Sequence, residues 1–136
     1  MKTDTGALGV ATPKIIAADD NREYLILMKA LLEMEGYKLF VSINAENLIE
    51  MICTEKPDVI LLDIQMKGIN GCEICKELKE SNLSKSIPVI IISAEDDLEE
   101  SARLCGADGY LSKPFSISEL LIIINNILKG EPFNSH

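Results

Sequence analysis

Asp58-Val59-Ile60-Leu61-Leu62-Asp63 is the stretch that decides the fold. Its apolar residues run unbroken between two carboxylates, with Lys56-Pro57 before them and Gly68 and Gly71 after. An alternating run would mark a strand with one wet face. An unbroken one marks a strand buried on both faces, and such strands belong to parallel sheets covered by helices. In open sheets of that kind the ligand crevice lies beyond the carboxyl ends of the strands. Asp63 falls at that end, as either a reactive carboxylate or an acid that caps a loop or helix.

Upstream, Lys14-Ile15-Ile16-Ala17-Ala18 is a short apolar run closed by Asp19-Asp20-Asn21, residue types that also start helices. From Arg22 to Glu35, apolar residues recur at Leu25, Met28, Leu31 and Leu32 with a helical period, and Gly36 stops it. Tyr37 to Ser42 reads as a strand whose polar Lys38 and Ser42 suit a sheet edge. Asn44 starts a second helix, ending near Thr54. Downstream of Asp63, Asn70 and Glu73 have the spacing of a helix start, and that helix runs to about Glu80. Pro88 opens a second unbroken strand, Val89 to Ile92, which ends at Ser93. A strongly acidic helix then starts near Asp96, reaches Leu104 and stops at Gly106. Tyr110 to Ser112 is a short strand broken by Lys113-Pro114, and Ser116 with Glu119 opens a last helix to about Lys129.

Five strand–helix units thus alternate with short connections. Right-handed crossovers turn that pattern into an α/β, five-stranded, doubly wound parallel sheet with five helices. The unbroken runs belong in its middle, and the expected strand order is 2-1-3-4-5. Residues 14–130 are expected to form one domain, after a flexible leader at 1–13 and before a short tail at 131–136.

The chain has 136 residues, 47% hydrophobic and 26% charged, which fits one globular core rather than a disordered segment. A formal net charge of −9 repels a phosphate backbone, so direct nucleic-acid binding is not expected. The apolar stretches fall short of the ~20 residues of a membrane-spanning helix. No secretory signal is visible. Membrane insertion is therefore not expected, and the cytoplasm is the default compartment. Of the four cysteines, Cys72 and Cys75 form a C-x-x-C. With a single histidine, His136, the set is a poor zinc site, and small thiols in a reducing compartment are the plainer account.

The topology makes a claim about chemistry. The ends of strands one, three, four and five should converge, bringing together Asp19 and Asp20, Asp63, Ser93 and Lys113. Each alone has an ordinary account: capping acids, a strand-end hydroxyl, a solvated lysine. Those accounts do not explain which strand end carries which group. Clustered acids repel unless a cation neutralises them. A hard divalent ion such as Mg2+ suits oxygen ligands, and a lysine opposite it neutralises further negative charge. The set fits a metal-assisted site in which a carboxylate oxygen attacks phosphorus.

Four ordered motifs resemble one family. Ile16-Ala17-Ala18-Asp19-Asp20, Leu62-Asp63-Ile64-Gln65-Met66-Lys67-Gly68-Ile69-Asn70-Gly71, Ile92-Ser93-Ala94 and Gly109-Tyr110-Leu111-Ser112-Lys113-Pro114-Phe115 are similar to the response-regulator receiver domain of two-component signalling. The resemblance spans roughly residues 14 to 129, and the choice of strand order leans on it in part. It implies a flavodoxin-like receiver resembling the chemotaxis regulators. Asp63 would accept a phosphoryl group from a sensor histidine kinase or a phosphotransfer protein. Asp20 would be the main acidic Mg2+ ligand, with Asp19 assisting, Asp63 sharing the ion and Gln65 adding its backbone carbonyl. Ser93 and Lys113 would bind the phosphoryl group, and Lys113-Pro114 would be a cis bond. Tyr110 would turn inward as Ser93 moves, reshaping the surface of helix four, strand five and helix five for a downstream protein target. Gln65 and Glu95 would tune dephosphorylation.

Two positions depart from the family pattern. Lys67 stands where proline is usual, which predicts a less rigid or more positive loop, and Asn70 replaces a capping aspartate. The expectation is a signalling receiver that assists its own phosphorylation and dephosphorylation rather than an enzyme. It would be a monomer or a phosphorylation-dependent dimer, and stand-alone because few residues follow the last helix. A receiver cut from a hybrid kinase or longer regulator is the alternative. An aspartate-nucleophile phosphohydrolase is disfavoured, because Gln65 occupies the place of its second acid.

Overall fold

The computed structural model describes residues 12–67 and 70–130. The expected tail at 131–136, and all of the leader before Thr12, lie outside the described residues. Five strands alternate with five helices: β1 (Lys14–Ala18), α1 (Arg22–Met34), β2 (Lys38–Ser42), α2 (Ala45–Glu55), β3 (Val59–Asp63), α3 (Gly71–Glu80), β4 (Val89–Ser93), α4 (Leu98–Cys105), β5 (Gly109–Ser112) and α5 (Ile117–Leu128). The strands form one parallel sheet in the order β2-β1-β3-β4-β5. This is the expected receiver-type architecture.

The unbroken apolar runs do what their composition requires. All five residues of β3 and all five of β4 are buried, because helices cover both faces. Alternate side chains divide between two cores. Ile16, Ile60, Leu62, Val89 and Ile91 pack with Leu48 and Ile52 of α2, Cys75 and Leu78 of α3, and Leu98 and Ala102 of α4. Ile15, Val59, Leu61, Ile90 and Ile92 pack on the other side with Leu25, Met28 and Leu32 of α1 and Leu120, Ile123 and Ile124 of α5. Each fully buried Leu or Ile contributes about 1.5–3 kcal/mol, so a one-residue slip of β3 would exchange the two sets at high cost. Registers such as Ile60 opposite Val89 and Asp63 opposite Ile92 keep the carboxyl ends level.

Local signals set the helix starts. Asn21, Asn44 and Asn70 cap α1, α2 and α3 by accepting from Tyr24, Asn47, and Cys72 and Glu73 N–H groups. Ser116 and Glu119 form a full capping box on α5. Asp19, Asp20 and Asn21 all suit a helix start by residue type, and it is Asn21 that caps α1, which leaves both acids available to the crevice. One expectation needs correction: helix α4 begins at Leu98 rather than near Asp96, and its N-cap Asp97 makes no side-chain capping bond. Asp96 and Asp97 form a turn that leads into the helix. Gly106 closes α4 at φ +76, a backbone conformation that side chains with a Cβ resist.

Candidate functional site

The β-strands deliver the site. Asp19 follows the last residue of β1, with its N–H donating to the Ser42 carbonyl of β2 at 3.0 Å. Asp63 is the last residue of β3 and Ser93 the last of β4. Lys113 follows β5 and joins Pro114 through a cis peptide bond, as expected. Four strand ends therefore meet at one edge of the sheet.

The Lys113 ammonium sits 3.1 Å from Asp63 Oδ2 and 3.3 Å from Asp19 Oδ2. Asp19 and Asp63 are 3% and 5% exposed, so these ion pairs lie largely out of water and are screened far less than surface pairs. Asp20 is exposed and turns to the β3–α3 loop, where its Oδ2 accepts from the Lys67 N–H at 2.8 Å. Carboxylate oxygens of Asp19, Asp20 and Asp63 come within 4.8 Å of one another, a group that could hold a metal ion.

Three carboxylates against one ammonium leave a formal excess of two negative charges. The site answers in part through proton affinity. Burial lifts the Asp19 carboxyl above the usual carboxylate range, against the Asn21 N–H bond that lowers it, and the nearby Asp63 charge lifts it further. Burial pulls the Lys113 ammonium down, yet the bond it donates to Asp63 and the charges of both acids outweigh that and raise it overall. An oxygen-only donor set with surplus negative charge is the chemistry that a hard divalent cation requires. The residues present thus fit Mg2+.

Loop contacts complete the pocket. Gln65 donates its N–H to Asp63 Oδ1 at 2.9 Å, and its side-chain Oε1 accepts from the Ala94 N–H at 3.3 Å. Its amide thereby bridges the loops after β3 and β4. Ser93 is fully buried, and its Oγ accepts from the Glu95 N–H at 3.0 Å. The Glu95 carboxylate takes the Ser101 hydroxyl of α4 at 2.7 Å. Tyr110 is buried in the core shared with α2, α3 and α4. Its ring therefore already stands inside the fold in this structure.

The structure thus gathers Asp19, Asp20, Asp63, Gln65 and Lys113, and puts Ser93 at the end of β4 with Glu95 on the loop that follows it. Two participants escaped the sequence reading. Ser101, which holds Glu95, sits on a helix face with no pattern to single it out. Tyr24 lies in the first turn of α1 with its ring 5.1 Å from the Lys113 ammonium. An aromatic one helical turn beyond the acid pair is the available signal. Burial, with the charges of Asp19 and Asp63, drives its phenol well above the usual range, so it stays neutral.

The chain resembles known proteins in sequence and in fold. The family model described as "Response regulator receiver domain" matches residues 15–125. The nisin biosynthesis regulatory protein NisR of Lactococcus lactis subsp. lactis is 37% identical over 125 residues, covering 90% of this chain and 53% of that protein. The response regulator MprA of Mycobacterium leprae (strain TN) is 30% identical over 118 residues, covering 85% of this chain and 51% of that protein. The chain therefore spans about half the length of the curated relatives it matches. Among solved structures, the N-terminal domain of the nisin resistance regulator NsrR superposes with a TM-score of 0.75 at 30% identity, over 85% of this chain and 97% of that one. A CheY-like receiver domain protein from Methanospirillum hungatei JF-1 gives 0.80 at 26% identity, over 88% and 96%.

Proposed function

The chain belongs to the response regulator receiver domain family, and from that premise we propose that it accepts a phosphoryl group on Asp63. The observation that carries this reading is the placing of the Asp63 carboxylate. It ends a buried strand, bonds to the Lys113 ammonium at 3.1 Å, and lies within 4.8 Å of the Asp19 and Asp20 carboxylates.

A phosphohistidine of a histidine kinase or phosphotransfer protein is the proposed donor. An Asp63 carboxylate oxygen attacks phosphorus, the P–N bond breaks, and its electron pair stays on the imidazole nitrogen, which takes up a proton. Lys113 already touches Asp63, so it pairs with the new phosphoryl oxygens without moving far, which is electrostatic preorganisation. Rotation of the Ser93 hydroxyl supplies a donor from β4. Asp19, Asp20, Asp63 and the Gln65 carbonyl would hold Mg2+, which when bound supplies positive charge against the phosphoryl oxygens.

In this reading the Ser93 hydroxyl swings toward the phosphoryl group and exchanges its present bond from the Glu95 N–H. That exchange carries the signal to α4 through Glu95 and Ser101, and to β5 through Tyr110. Two arrangements of the α4–β5–α5 surface then differ in population according to the state of Asp63, and a downstream protein partner reads the difference.

The test is incubation with Mg2+ and acetyl phosphate, followed by intact mass measurement. One added phosphoryl group in the wild type and none in Asp63→Asn is the expected result. Equal labelling of both would remove Asp63 from the role.

A further inference from the structure

We propose that Tyr24 is a positioning residue whose ring face holds the Lys113 ammonium against Asp63. A lysine ammonium has three N–H donors on a flexible stem, so two acceptors do not fix its direction. Asp63 Oδ2 and Asp19 Oδ2 take two sides of Lys113 Nζ, at 3.1 and 3.3 Å. The Tyr24 ring takes the third, with its centroid 5.1 Å from Nζ. That distance is within the range in which an aromatic face attracts a cation, and the attraction grows as water is excluded. The Lys113 side chain is only 31% exposed.

The ring is itself held. The Tyr24 N–H donates to Asn21 Oδ1 at 3.0 Å, which fixes its backbone at the capped start of α1, directly after the acid pair. Phe115, two residues beyond Lys113, meets it edge to face, with centroids 6.3 Å apart and planes at 77°. The hydroxyl takes no part, being buried with no hydrogen-bond partner among the described residues. What Tyr24 offers Lys113 is therefore its π-face. Helix α1 and the loop after β5 close on the ammonium together, and the lysine meets Asp63 already oriented.

The functional consequence rests on the phosphoaccepting reading of Asp63, while the contact does not. Two variants separate ring from hydroxyl: Tyr24→Phe keeps the face and Tyr24→Leu removes it. Nuclear magnetic resonance of the Lys113 side-chain methylene next to the ammonium reports ring-current shielding with no phosphodonor present. Initial rates with acetyl phosphate and Mg2+ report positioning for transfer. Wild type and Tyr24→Phe should share the shielded resonance and similar rates. Tyr24→Leu should lose the shielding and transfer about three- to tenfold more slowly, the scale expected for a partly desolvated cation–ring contact. If Tyr24→Leu does not fold, a pentafluorophenyl ring at position 24 keeps the shape and reverses the charge pattern of the face, and it should slow transfer in the same way. An unchanged Lys113 resonance in Tyr24→Leu, or rates equal to wild type in both the leucine and the pentafluorophenyl proteins, would overturn the proposal. A shielded Lys113 in a wild type that takes no phosphoryl group would support the contact and sink the phosphoaccepting reading instead.

Discussion

The backbone N–H of Lys67 donates to Asp20 Oδ2 at 2.8 Å, a bond that the proline usual at this position of the family cannot make. Lysine at position 67 reads in the sequence as a looser or more positive loop. The structure gives it a further consequence. The β3–α3 loop is tied across the crevice to an exposed acid of the candidate metal group, through a main-chain donor and not through the lysine charge.

Lys67→Pro should therefore weaken Mg2+ binding, because an orienting bond to a candidate ligand is lost. Bonds of this supporting kind are worth about tenfold or more in metal affinity, and the exposure of Asp20 points to the lower end. Lys67→Ala keeps the N–H and should bind as wild type does. Calorimetric titration of both variants checks this, and equal weakening in the two would assign the effect to the side chain.

Mg2+ should raise the thermal midpoint, since an ion that binds only the folded chain stabilises it by mass action. At ten times the dissociation constant the gain is about 1.4 kcal/mol. Asp20→Asn removes one charge of the acidic group while leaving the buried Lys113 pairs with Asp19 and Asp63 in place. The variant should fold with little change but lose most of the Mg2+ response. A thermal scan with and without the ion reads both effects, and a full response in Asp20→Asn would exclude Asp20 as a ligand.

The parts of this fold legible in the sequence are those governed by local or periodic rules. Unbroken runs placed β3 and β4 in the sheet centre, and the asparagine caps and the Ser116–Glu119 box placed the helix starts. Strand ends then brought Asp19, Asp63 and Lys113 together, because topology alone converts strand order into proximity. Side-chain direction escaped that logic. Asp19 and Asp20 are neighbours in the chain, yet one is buried against Lys113 and the other exposed against Lys67. Whether Tyr24 turns toward Lys113, or Ser101 toward Glu95, depends on how α1 and α4 rotate on the sheet, which no local spacing encodes. The start of α4 differs for a related reason: an acid at Asp96 looks like a cap, but the N-cap is Asp97, without a side-chain capping bond, and the helix begins at Leu98.

Gly71 should not tolerate a side chain. A Cβ built there would lie 2.3 Å from Ile64 Cα and 2.8 Å from Ile64 Cβ, so backbone has to move. Overpacking of this kind costs about 1–3 kcal/mol. Ile64 directly follows Asp63, so the displaced loop is the one that carries Gln65. Gly71→Ala should therefore lower both the denaturant midpoint and the phosphorylation rate. A midpoint equal to wild type would show that the α3 start can swing away freely.

The thiols should divide into one reactive and three protected groups. Cys53 is exposed on α2, whereas Cys75 and Cys105 are buried and Cys72 is half-buried between α3 and α4. Burial, then the contact with Cys105, pushes the Cys72 thiol up to about 12. Cys105 is raised too, first by its bond with Cys75 and then by burial. The bond from Cys105 lowers Cys75, but Cys75 is fully enclosed and out of reach of reagent. Only the thiolate attacks a disulfide reagent. Near pH 8 the Cys72 thiol therefore stays protonated. An aromatic disulfide at that pH should titrate a single fast thiol, abolished in Cys53→Ser, and the remaining three only after unfolding. Two fast thiols surviving in Cys53→Ser would instead show that the thiols between α3 and α4 are open to reagent.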